Sequence, residues 1–193
     1  MFIKPSAAAR LFKEAYKGIG LRIANTGDGL VLTGRAWHMF IYRENIPKEI
    51  MGEIIKLTGD IPKKGEQLLY SKDSGAQIEL YLVEPHQDVY RRATEAQAEG
   101  NDVWATRIMI ADTWEKPFRV YKTDKFCYAI PEGIRAMISA EWCDQNEEMY
   151  GAFAAQLGWL YWVSSYMAFG YPAFVTDDEV KGQALKLQEA GIL

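Results

Sequence analysis

The chain has 193 residues, with 22 Lys and Arg against 26 Asp and Glu, a net charge of −4, and 49% hydrophobic residues. This length supports one well-filled core, so residues 1–193 read as a single globular domain. The 13% aromatic content excludes intrinsic disorder, and the acidic balance excludes a general basic field for phosphate backbones.

The opening "MFIKPSAAARLFKEAYKG" places charges where a secretory leader needs an apolar stretch. The two cysteines, Cys127 and Cys143, fit no zinc or redox spacing. A reducing cytoplasm with free thiols is therefore the expected setting. Pro5 and Ser6 start a helix in which Ala8, Leu11, Phe12 and Tyr16 recur at three and four, and Gly18 or Gly20 ends it. Arg10, Lys13 and Lys17 form a basic stripe on its other side, a candidate for lying along a nucleic-acid backbone. Three cations give modest, salt-sensitive affinity.

"LRIA" and "LVLTGRAWHMFIY" read as two strands joined by a hairpin turn at "NTGDG", where Asn and Gly accept positive φ. Along the second strand Trp37, Met39 and Ile41 alternate with His38, Phe40 and Tyr42. Both sets are largely apolar, so this strand is expected to be covered on both faces or to lie at an interface. A second amphipathic helix follows in "NIPKEIMGEIIKLTGD", with Asn45 as cap, Ile50, Met51, Ile54 and Ile55 facing inward, and Gly59 as its end. "AQIELYLVE" alternates as a half-exposed strand, and "PHQDVYRRATEAQAEG" reads as a short polar helix. "TRIMIADTW", "FRVYK" and "KFCYAI" are three further strands, the last two joined as a hairpin across "KTDK".

The run from Met149 to Thr176 carries no charge and contains "GWLYWVSSYMAF". A membrane span is disfavoured, because aromatic residues run through its middle and its flanks, "CDQNEE" and "TDDE", are acidic. The expectation is one long apolar helix from Gln145 to Phe169, or two if Gly151 and Gly158 break it, ended by Gly170 and Pro172 and buried in the core or in a subunit interface. "DQNE" and "TDDE" match capping boxes, which explains the acids at Asp177, Asp178 and Glu179 without a metal. The fold class is α+β, a largely antiparallel sheet packed by helices.

No nucleophile elbow, phosphate loop, dinucleotide turn, zinc-protease pair or kinase set occurs. Of the two histidines, His86 reads as a surface turn and His38 as the one candidate base, on an aromatic strand. Asp112 and Glu115 beside Trp114, with Glu141 before Trp142, are the candidate carboxylates of a hydrolase-like alternative. No cofactor and no metal is expected. Six Trp and eleven Tyr exceed what a core of this size must contain, and these residue types, with Arg, dominate interface hot spots.

The expectation is thus a non-catalytic binding or regulatory protein whose partner is another protein, with self-association as a further use of the same surface. Small phage and mobile-element proteins that inhibit host proteins share this texture. An unfamiliar His- or carboxylate-centred enzyme is the first alternative and a nucleic-acid accessory protein the second. The candidate binding residues are Arg10, Lys13 and Lys17 on the first helix, and Trp37, His38, Phe40 and Tyr42 on the aromatic strand.

Overall fold

The structure is a computed structural model that describes residues 2–78, 85–98, 103–111, 117–122, 127–138, 152–155, 159–172, 186–187 and 189–191. Helix α1 (Pro5–Lys17) is followed by strands β1 (Leu21–Asn25), β2 (Gly29–Thr33) and β3 (His38–Tyr42), helix α2 (Lys48–Thr58), and strands β4 (Gln67–Ser71) and β5 (Gly75–Ile78). Helix α3 (Pro85–Ala98), strands β6 (Trp104–Ala111), β7 (Pro117–Lys122) and β8 (Cys127–Pro131), and the short helix α4 (Glu132–Arg135) come next. Strands β9 (Ala152–Ala155), β10 (Trp159–Val163) and β11 (Met167–Pro172) complete the described elements. The fold class is α+β, with an eight-stranded sheet in the order β5-β4-β1-β2-β3-β11-β10-β9 and a three-stranded sheet β6-β7-β8. Every pairing in both sheets is antiparallel.

The expected helix from Gln145 to Phe169 is overturned: residues 152–155 and 159–172 form three strands of the large sheet. The cause lies in where these strands sit. Leu160, Trp162, Met167 and Phe169 enter the core beneath α1 and α2, while Tyr161, Val163 and Ala168 enter a second core beneath α3. A strand buried on both faces is apolar at every position, and such a run carries neither a period of two nor one of 3.6. The turn between β10 and β11 is built by Ser164, whose N–H donates to Met167 O at 2.8 Å while its Oγ accepts from Met167 N at 3.1 Å. The capping boxes at Asp144 to Glu147 and Thr176 to Glu179 lie outside the described residues.

"LVLTGRAWHMFIY" is likewise two strands rather than one. Gly34 and its neighbours turn the chain between β2 and β3, with Gly34 N donating to Trp37 O at 3.0 Å. The Trp37 indole folds back over Gly34, where a Cβ would stand 2.4 Å from Nε1. The "NTGDG" hairpin is present, with Asn25 Oδ1 accepting from Gly27 N at 3.0 Å and Gly27 at φ +94°. Helix α1 buries Ala8, Ala9, Leu11, Phe12 and Ala15 against the sheet, and Gly18 ends it. The N-cap of helix α2 is Pro47 rather than Asn45, which lies in a 3-10 turn over Arg43–Asn45. The helix buries Ile50 and Ile54 but leaves Ile55 43% exposed, so Ile55 does not face inward as expected.

The large sheet is therefore covered on both sides. Its first face packs against α1, α2 and side chains such as Tyr121, Ile130 and Met137 from the region of the small sheet and α4. Its second face packs against Val89, Ala93 and Ala96 of α3.

Candidate functional site

Directly opposed residues in an antiparallel sheet share a face, with Cβ atoms about 4.5–5.5 Å apart. The register therefore lays one row across seven of the eight strands: Gln77, Leu69, Arg22, Thr33, His38, Gly170 and Tyr161. The row lies on the face that carries α3, because Tyr161 belongs to the core beneath that helix. One step along the strands, Gln67, Ala24, Val31, Phe40, Ala168 and Val163 make the next row on that face, and all of them are buried. In the first row Leu69, Arg22, Thr33 and His38 are only half-buried and Gln77 is exposed. The sheet thus presents a polar, cationic and aromatic strip beside its α3-covered part.

His38 is fixed in this strip by aromatic neighbours. Its ring stacks on Trp159 with centroids 4.5 Å apart and planes 13° apart, and on Tyr161 at 5.5 Å and 20°. Trp159 and Tyr161 stand at 6.3 Å and 23°, so the three rings are nearly parallel. Gly170 makes this arrangement fit, since a Cβ there would come within 2.2 Å of His38 Nε2 and 2.7 Å of Tyr161 Cε1. Each such ring pair adds about 0.5–1.5 kcal/mol beyond the area it buries. His38 Nε2 is buried over the Gly170 backbone, so this nitrogen is turned away from any molecule arriving at the strip. A general base must reach its proton directly or through one water. The buried Nε2 argues against His38 serving as a base through that atom.

The other candidates on β3 are divided by the pleat. Trp37 is 6% exposed and lies with Phe12 at 5.9 Å in the first core, and Phe40 is 1% exposed in the second. Half-buried Tyr42 meets Phe40 at 4.8 Å and Tyr90 at 5.3 Å, both edge-on. Tyr90 Oη donates to Ser164 O at 2.9 Å, which ties α3 to the β10–β11 turn. Burial, with Tyr42 alongside, raises the Tyr90 phenol above its ordinary 10.0, and burial alone raises that of Tyr171.

The basic stripe of α1 is partly engaged. Arg10 Nη2 donates to Gly133 O at 3.1 Å, Lys13 Nζ lies 3.4 Å from Glu53 Oε2, and Lys17 is exposed at the end of the helix. The structure thus brings His38 into the strip but leaves Arg10, Lys13 and Lys17 on the helix that covers the opposite face. Nothing in the sequence pattern ties Arg22, Thr33, Trp159, Tyr161 and Gly170 to a common site with His38. Trp159 and Tyr161 stood in the loud aromatic run, yet their meeting with His38 becomes visible only once that run is a pair of strands. Asp112, Glu115 and Glu141 lie outside the described residues. Among the described residues no three His, Cys, Asp or Glu side chains group as a metal site, and no helix is long and apolar enough to cross a membrane.

Comparison with protein-family models, curated proteins and solved structures finds no significant match to this chain.

Proposed function

We propose that the chain is a non-catalytic protein that acts by binding another protein, and that the strip through Arg22, Thr33, His38 and Trp159 is its contact surface. The observation that carries this reading is the fixed stack of His38 on Trp159 over Gly170 at the end of a half-buried row that contains Arg22. Aromatic rings and Arg held before a partner arrives lose little side-chain freedom on binding, which is the usual character of hot spots. The partner chemistry that suits the strip is an acidic segment with an apolar residue, the acid meeting Arg22 and the apolar side chain meeting Trp159. The nucleic-acid reading has less support, because Lys13 in the middle of the α1 stripe is paired with Glu53. A reducing, cytoplasmic setting is part of the proposal.

The test is recovery of a stoichiometric partner from host lysate by the tagged chain, after nuclease and in high salt, compared with Arg22→Glu and Trp159→Ala. The reading expects the partner to be lost from both variants while their melting curves keep a single transition. Equal recovery by both variants moves the surface elsewhere on the molecule, and recovery of the chain alone overturns the binding reading.

A further inference from the structure

A second feature gathers positive charge. A surface hollow of about 230 Å³ lies where the first turns of α1 meet α4, lined by Lys4, Ser6, Ala7, Arg10, Gly133 and Ala136. Both cations are positioned by main-chain acceptors on the α4 side: Lys4 Nζ donates to Ala136 O at 2.9 Å and Arg10 Nη2 to Gly133 O at 3.1 Å. These bonds cap the carbonyl end of a short helix and hold the two cationic heads at one hollow. An ammonium has three donors and a guanidinium five, so one carbonyl bond uses a small part of each.

The two carbonyls at the hollow carry partial negative charge, and each is already hydrogen-bonded to a cation. Among the described residues no carboxylate lines the hollow. Glu132, at the start of α4, is held by Arg119 Nε at 3.2 Å, and Glu14 lies one turn beyond Arg10 and outside the lining. The N-terminal end of α1 is at the same place, with Lys4 as its N-cap, Pro5 in the first turn and no acid there, and its dipole adds to the two cations. The volume is below the range of about 300–1,000 Å³ that takes drug-sized ligands, so a small ion suits it better than a whole nucleoside.

We propose that this hollow binds a phosphate group, either free inorganic phosphate or the terminal phosphate of a nucleotide, through Lys4, Arg10 and the Ser6 hydroxyl. The site is independent of the sheet strip and of any protein partner.

The test is calorimetric titration of inorganic phosphate onto the full chain at low ionic strength, with chloride at matched ionic strength as the control. Saturable one-to-one binding is expected, weakened at least about tenfold in Lys4→Gln and in Arg10→Gln, since each loses a charge-assisted bond. Ser6→Ala keeps both cations and is expected to weaken binding a few-fold, about twofold to fivefold, by losing one neutral bond. Should Arg10→Gln fail to fold, Lys4→Gln and Ser6→Ala decide. A nucleoside monophosphate that binds as phosphate does marks the free ion as the ligand, and tighter binding marks a nucleotide; both support the site. No saturable phosphate binding above the chloride control, or unchanged affinity in the folded variants, overturns it.

Discussion

Gly170 decides at the residue scale whether the strip can exist. Its missing Cβ leaves room for the His38 ring and for one edge of Tyr161. Gly170→Ala forces a methyl against the imidazole, and overpacking of this kind costs about 1–3 kcal/mol. Urea denaturation checks the value, and adding His38→Ala is expected to recover part of the loss, because the closest of the two clashes is then gone. If the double variant is no more stable than Gly170→Ala, the ring does not lie over that glycine. The phenols give a second residue-scale prediction. Tyr70, Tyr90 and Tyr171 are each raised above 10.0, chiefly by burial. The folded state therefore holds these protons more tightly than the unfolded chain. Their contribution to stability is full below about 10 and declines as the pH rises through the raised values. Tyrosinate absorbance in the native protein should lag behind that of the urea-unfolded chain, and coincident curves would contradict the burial of these groups.

At the scale of elements, the β10–β11 hairpin joins the two cores. Ser164 accepts from Met167 N and also bonds its carbonyl at 3.3 Å, so Ser164→Ala leaves a buried turn short of partners. The expected loss is about 1–3 kcal/mol, read from thermal or chemical denaturation, and a change within about 0.5 kcal/mol would mean that the turn is held by its backbone alone. The same hairpin shows what was legible in the sequence. Amphipathic segments announced themselves: Ala8, Leu11, Phe12 and Tyr16 gave α1, the Asn-Gly chemistry gave the β1–β2 turn, and the strands flanking "KTDK" gave the β7–β8 pair. The run through Trp159 to Phe169 lacked that contrast, because each residue had a core on its own side of the sheet. Two adjacent serines in an aromatic run were its turn signal. For the candidate site, sequence supplied His38 but not its neighbours, since Trp159 and Gly170 reach it only through the β3–β11–β10 register.

The N-terminal segment closes the structure at the scale of the whole molecule. Phe2 and Ile3 are buried, Phe2 N donates to Tyr166 Oη at 3.0 Å, and Ile3 bridges to Ile138 beside α4. The segment thereby links the β10–β11 turn to the end of the region that contains the small sheet. Phe2→Ala is expected to cost about 3–5 kcal/mol, enough to lower the melting temperature by several degrees. A loss near zero would show that this end is not docked. The two proposed sites fall on different sides of this frame, the aromatic strip on the α3 face and the cationic hollow between α1 and α4. Substitutions at one should therefore leave the other unchanged, as distant sites without shared partners do.

Site-specific photo-crosslinking in host cells tests the central claim most directly, with the reactive side chain placed at Thr33 in the strip or at Lys56 on the outer side of α2. The account predicts a single discrete protein adduct from Thr33, its loss when Arg22→Glu is added, and no such adduct from Lys56. An adduct from Lys56 but not from Thr33, or no protein adduct from either, contradicts it.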